Sequence, residues 1–457
     1  MVLVLTMVVL QSISFANYAL TTKTTNIIYG SAPYLTFDGG RTRVINTEAL
    51  LGISLSDGRR FTPTTNNSSD NPIVLPVAGQ SFNDIGMLIP TDTNSIALSS
   101  LIGTPYNYWR DDDGDGQGVN GVTATGSLRL SIVDKNNQAV TRSEVLTICK
   151  APYKLTLSNT EGRLTTRYGV PNESRFTAGN ATYYINPKAS PVICYATPYY
   201  DGSVGLSDAV WVKDHGFLPQ SATPSSYGSN FPTTGADNLY FDLEIGGNIQ
   251  ALSWAPVSHE KITATMTNST STSVRVTLTG PAATPSQWSS DNPGKIDRPS
   301  LPQVFELVGR DSHGNAIVKY GFVLKQWFIH SGTYSNTRSI ISSKCNSFGY
   351  RVTKVRDFTN ASCQGRNSEY CRGYDEIVGT NPQNTYVRSI GEGFIPEWGI
   401  QLNRYIGFNI YYTVYWTSEQ TSDNLYDIVV MWTNIPIALL PVRETTSRKY
   451  PGLCVYP

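Results

Sequence analysis

Apolar and polar residues alternate with a period of two along most of this chain. Ser127-Leu-Arg-Leu-Ser-Ile-Val133 alternates outward and inward positions and stops at Asp134-Lys-Asn-Asn137. Leu239-Tyr-Phe-Asp-Leu-Glu-Ile245 ends at Gly246-Gly247, and Ser273-Val-Arg-Val-Thr-Leu-Thr279 has the same period. Such runs are half-buried strands, because successive side chains of a strand point to opposite faces. Their bounding turn residues and spacing fit antiparallel sandwiches. No repeating βαβ pattern is present, which argues against a nucleotide fold.

The pattern changes near residue 318. Gln303 to Val308 and Ala316 to Phe328 are apolar-rich runs on either side of the turn cluster Asp311-Ser-His-Gly-Asn315, a predicted hairpin. Beyond it, Asn336 to Phe348 carries Ile340, Ile341 and Cys345 at helical spacing, with Gly349 placed to cap the helix. A second short helix is predicted within Val355 to Ser362. The chain then turns aromatic and irregular. These features predict a mainly β protein: β-sandwich (immunoglobulin-like) modules over 17–142 and 143–317, then an α+β domain over 318–457.

Composition narrows the function. The formal net charge is +0, so the basic footprint of a nucleic-acid binder is missing. Charged residues make up only 15%, while 38 Gly, 26 Pro and 27 Tyr favour short strands and sharp turns, as in extracellular β proteins. Val2 to Leu10 is an apolar run followed by small residues at Ser14 and Ala16, which reads as a signal peptide over 1–16. It departs from such signals in having no Lys or Arg before the run. No later stretch of about 20 apolar residues would span a membrane. The expected location is therefore secreted or on the bacterial outer surface, after export through the periplasm.

Six cysteines, an even number, fit disulfides in an oxidising compartment. No pair has C-x-x-C spacing, so a zinc site is not expected. From the residues alone, many connectivities remain open.

Several blocks carry a resemblance. Tyr320-Gly-Phe-Val-Leu-Lys-Gln-Trp327, Cys345-Asn-Ser-Phe-Gly-Tyr-Arg351, Gly393-Phe-Ile-Pro-Glu-Trp-Gly399, Tyr415-Trp-Thr-Ser418 and Leu453-Cys-Val-Tyr-Pro457 resemble the C-terminal C-type-lectin-like domain of certain bacterial adhesins. These are the enterobacterial adhesins of the Salmonella Rat-repeat and invasin-like group. Tyr108-Trp-Arg-Asp-Asp-Asp-Gly-Asp-Gly116, Val145-Leu-Thr-Ile-Cys-Lys-Ala-Pro-Tyr153 and Arg167-Tyr-Gly-Val-Pro171 resemble its repeat region. The resemblance implies export, adhesion and a host-surface partner, protein or glycan. Lectin-like domains tie their first helix to their last strand, which implies a Cys345–Cys454 disulfide. Cys363 with Cys371 and Cys149 with Cys194 then complete the set.

Candidate sites follow. Asp111, Asp113 and Asp115, with Gly116 at the sixth position, have the spacing of a calcium loop, the one cofactor suggested. The twelfth position is Val122 instead of glutamate. For ligand binding, Tyr405, Tyr411 and Tyr412 lie in a Tyr- and Asn-rich stretch with the chemistry of an adaptable binding loop. Trp398 and Trp416 are candidates for stacking on a ligand, or for core packing. Neither Glu-Pro-Asn nor Gln-Pro-Asp occurs in the last domain, which argues against calcium-dependent sugar binding. A lectin proper is the alternative, and a formylglycine-generating-type enzyme, which would need free thiols, a more distant one. No catalytic constellation is proposed: Gly79-Gln-Ser-Phe-Asn83 lacks the second glycine of a nucleophile elbow.

Overall fold

The computed structural model describes residues 29–457, apart from 66–67, 114–120, 200–201, 249, 331–333, 372–379, 406–407, 409–413, 421–425 and 431–444. The signal-peptide region 1–16 lies outside the described residues. The chain is mainly β and divides into two compact units, one formed by 1–146 with 150–188, the other by 147–149 with 189–457.

In the first unit, a five-stranded sheet runs in the order Ile73–Val74, Gly179–Asn186, Tyr153–Asn159, Ser127–Val133 and Ser95–Ala97. A three-stranded sheet of Glu173–Phe176, Gly162–Thr166 and Val122–Thr125 contributes to the same core. The alternation read from sequence is realised here. Leu128, Leu130 and Ile132 point inward against Leu155 and Leu157 of the neighbouring strand, while Arg129 and Ser131 face solvent. The unit runs past residue 142 because Gly179–Asn186 pairs with Tyr153–Asn159 from Gly179 to Ile185.

The second unit has a seven-stranded sheet in the order Trp211–Val212, Gly216–Phe217, Val192–Thr197, Tyr240–Gly246, Ser273–Thr279, Ile262–Thr267 and Val257–His259. A three-stranded sheet of Ser253–Trp254, Gln303–Arg310 and Ala316–Leu324 packs on it. Aromatic rings fill the space between the two layers: Phe305 stacks on its cross-strand partner Phe322 at 5.0 Å, and Phe241 of the seven-stranded sheet meets Phe322 edge-on at 5.9 Å. The apolar run Ala316 to Phe328 is broken at Lys325, whose N–H, with that of Gln326, is taken by the Thr233 carbonyl. The strand Gln326–His330 then leaves for a four-stranded sheet with Thr234–Ala236, Leu453–Tyr456 and Arg351–Val352.

The Arg338–Phe348 helix packs beside this sheet, and the left-handed Gly349 (φ 85°) caps it. Cys345 on the helix is bonded to Cys454 on the last strand; Cys149–Cys194 and Cys363–Cys371 are the other two disulfides. The expected boundary at 317/318 falls inside this unit. Trp398 lies 5.0 Å from Phe231 and 6.2 Å from Phe241, so the α+β portion and the sandwich bury one another's apolar surface in one core.

Gly321 shows how closely the layers are covered. A Cβ added there would lie 2.1 Å from the Tyr227 ring, which is buried over the strand with its hydroxyl donating to Glu306 at 2.8 Å. Gly321→Ala must displace that ring, and is expected to cost about 1–3 kcal/mol. Urea unfolding of the full chain checks this, and an unchanged second-unit transition would refute the packing.

Candidate functional site

The helix Phe394–Trp398 carries one aromatic candidate, Trp398, and packs against a second, Tyr405. It lies between Gly393 (φ 113°) and Gly399 (φ 79°), backbone conformations that favour glycine. A Cβ on Gly393 would lie 3.0 Å from the backbone of Phe358 and Thr359. Trp398 is fully buried, and its Nε1 donates to the Thr234 carbonyl at 3.1 Å. Tyr405 is also buried; its ring meets Trp398 at 6.0 Å, and its hydroxyl accepts the Tyr199 N–H at 2.8 Å. Trp416 is buried against Tyr450, with Nε1 donating to the Asn336 carbonyl at 2.8 Å.

All three side chains are thus buried in the folded chain, the core-packing alternative for Trp398 and Trp416, whereas Tyr405 was expected in an exposed binding loop. Their apolar faces are in the core and their polar atoms are satisfied by backbone groups, so neither face nor donor is offered to a partner. Tyr411 and Tyr412 lie outside the described residues. The chain on either side of 409–413 is anchored: Phe408 is buried 4.1 Å from the His330 ring, and Tyr415 and Trp416 are buried beyond it.

Two buried charged side chains hold this region together. The Glu397 carboxylate accepts the N–H groups of Thr233, Thr234 and Gly391 and the hydroxyls of Thr233 and Thr234, at 2.6–3.0 Å. Burial pushes its carboxyl above the ordinary glutamate range, while these donors pull the other way by favouring the charged form. Arg388 is fully buried and stacks 4.7 Å from the Trp211 ring. It donates to the carbonyls of Glu397 at 2.7 Å and Tyr199 at 3.2 Å. Both groups secure segments distant in sequence, a structural role that sequence reading missed. A Glu within an apolar Phe-Ile-Pro-Glu-Trp helix was the available signal.

His330 sits at the edge of the same core. Burial holds its imidazole down to about 4 from the ordinary 6.5. It thus stays neutral in the folded chain where the unfolded chain takes up a proton. Stability is expected to fall as pH drops from about 6.5 to about 4, by at most about 3 kcal/mol from this group, and to level off below. His330→Gln should flatten that slope in unfolding measured between pH 4.5 and 7. Identical slopes in both proteins would refute the assignment.

On the outward face of the seven-stranded sheet, the register sets Asp242 opposite Arg275. Arg275 donates to the carboxylate through Nε and Nη2, both at 2.9 Å, and its guanidinium lies 4.1 Å over the Tyr240 ring. The Tyr240 ring meets Tyr405 at 5.0 Å, and Arg404 lies 5.3 Å over Tyr199. The two strands were legible from their alternation, and so were these outward positions. The pairing between strands was not.

The acidic turn is only partly described. Asp113 accepts the Ser31 N–H at 2.7 Å, and Asp112 accepts the Tyr34 hydroxyl at 3.1 Å and pairs with Arg43. Asp115 lies outside the described residues. Among the described residues, no group of three or more His, Cys, Asp or Glu converges as a metal site.

No family model matches this chain, and no curated protein matches it in sequence. Among solved structures it is similar to invasin, a bacterial integrin-binding protein, at 14% identity and a TM-score of 0.35, over 76% of this chain and 53% of that one. It is similar to the C-terminal 282-residue fragment of intimin, solved with the intimin-binding domain of the translocated intimin receptor (12% identity, TM-score 0.31, 73% and 93% covered). An intimin mutant from EHEC O157:H7 matches at 13% identity and a TM-score of 0.29, with 56% and 96% covered. The chain spans about half the length of the invasin structure. These identities and scores are too low to carry a partner or a binding site across.

Proposed function

We propose that this chain is an exported bacterial adhesin that attaches to a host-surface protein through its C-terminal α+β portion, which we read as C-type-lectin-like. The sandwich layers hold that portion in place. The observation that carries this reading is the tie between the Arg338–Phe348 helix and the last strand by Cys345–Cys454, in a portion whose sequence blocks resemble such adhesins. Three disulfides suit an oxidising, extracellular location. They also use all six thiols, which a formylglycine-generating-type enzyme would need free. Among the described residues, no helix is long and apolar enough to cross a membrane.

The Tyr411 and Tyr412 side chains remain the proposed contacts, on a segment bracketed by the buried anchors Phe408 and Tyr415. The test uses the full chain, because a fragment starting at Tyr320 would lose the strand Gln303–Arg310 and the Thr233–Thr234 partners of Glu397. The labelled chain should bind cultured intestinal epithelial cells saturably. A Tyr411→Ala/Tyr412→Ala variant with unchanged melting should bind about tenfold more weakly or worse. Absence of saturable binding by the intact, disulfide-bonded chain would overturn the reading.

A further inference from the structure

We propose that the outer face of the seven-stranded sheet carrying Tyr240, Asp242 and Arg275, continued by Tyr199 and Arg404, is a second contact surface for the protein partner. It takes a partner carboxylate flanked by apolar side chains. This rests on the adhesin reading above and extends it to residues other than Tyr411 and Tyr412.

The physical case is pre-organisation. Arg275 is held on two sides, by the Asp242 carboxylate and by the Tyr240 ring. Tyr240 rests against buried Tyr405. Tyr199, which carries Arg404, is fixed at both backbone ends: its N–H by the Tyr405 hydroxyl and its carbonyl by buried Arg388. The side chains of Arg275 and Asp242 nonetheless remain 37% and 43% exposed, so they are fixed and still reachable.

Ordering a long side chain on binding costs about 0.5–1.5 kcal/mol, a cost largely avoided where the side chain is already held in place. Tyr and Arg are also the residues that dominate interface energetics. As a stabilising device the cluster is weak, because an exposed ion pair contributes only about 0–1 kcal/mol.

The donors left over define the ligand. Asp242 occupies Nε and Nη2 of Arg275, and Nη1 makes no bond among the described residues. Arg404 forms no ion pair among them. Arg404 adds one positive charge beyond the Asp242–Arg275 pair, while Glu244, next along the same face, lies 3.8 Å from His215; the remaining N–H groups of the two arginines suit a carboxylate. The half-buried rings of Tyr240 and Tyr199, each beneath a guanidinium, leave apolar edges that suit apolar side chains beside that carboxylate.

The experiment compares three labelled full-length chains on epithelial cells: the parent, a Tyr240→Thr/Arg275→Gln/Arg404→Gln variant, and the Tyr411→Ala/Tyr412→Ala variant. Each is checked first for unchanged melting. The expected result is binding at least about tenfold weaker for the sheet-face variant. Parent binding should also fall with added salt, vanish on protease-treated cells and survive deglycosylation. If the sheet-face variant binds like the parent while Tyr411→Ala/Tyr412→Ala does not, the sheet face is refuted and the adhesin reading stands. Binding lost on deglycosylation and kept after protease treatment overturns the protein partner. A parent chain that does not bind overturns both.

Discussion

Glu397→Ala is expected to destabilise the second unit by about 3–5 kcal/mol, the largest effect of any single substitution considered for this chain. The carboxylate is fully buried and receives three backbone N–H groups and two threonine hydroxyls. Alanine removes every acceptor at once and leaves these donors buried without partners. The backbone N–H groups of Thr233, Thr234 and Gly391 cannot turn away, because they belong to the segments being joined. Glu397→Gln keeps one acceptor and turns the other arm into a donor facing donors, so it should lie between the two. Denaturant unfolding of both variants measures this. A loss below about 1 kcal/mol for alanine would show that the carboxylate does not clamp these segments.

Removing the Cys345–Cys454 disulfide is the second large effect. The bond closes a span of 109 residues between two fully buried positions. In the chain-entropy model such a loop contributes about 5 kcal/mol by restricting the unfolded state. Removing Cys363–Cys371, with a separation of 8, should cost only about 2.5 kcal/mol on the same scale. A Cys345→Ala/Cys454→Ala chain should therefore unfold at clearly lower denaturant than a Cys363→Ala/Cys371→Ala chain. Limited proteolysis should first cut the former within its last 140 or so residues. Equal losses for the two pairs would mean that local strain or packing, rather than loop closure, sets the contribution of each bond.

Some features were legible in the sequence because their physics is local. The strand Ser273–Thr279 was readable because its alternation needs only one buried face, and the Gly349 cap because a left-handed helix end favours glycine. The candidate site was legible mainly as residue type. Trp398 and Trp416 could be read for ligand stacking or for core packing, and Tyr405 as part of a binding loop; all three are buried. Aromatic content is equally high in cores and at interfaces, and only the positions of Thr234, Asn336 and Tyr199, remote in sequence, decide which it is.

By itself, then, the sequence determined the β class, the alternating strand faces, the helix that stops at Gly349, and a cysteine content suited to an oxidising compartment. Periodicity, backbone stereochemistry and residue chemistry act over a few residues and need no knowledge of the partner segment. The tertiary structure decided where the compact units divide, that the α+β portion shares its core with the sandwich, and that Asp242, Arg275, Tyr240 and Tyr405 form one cluster. Each of those outcomes depends on segments tens to hundreds of residues apart burying surface and satisfying hydrogen bonds against one another.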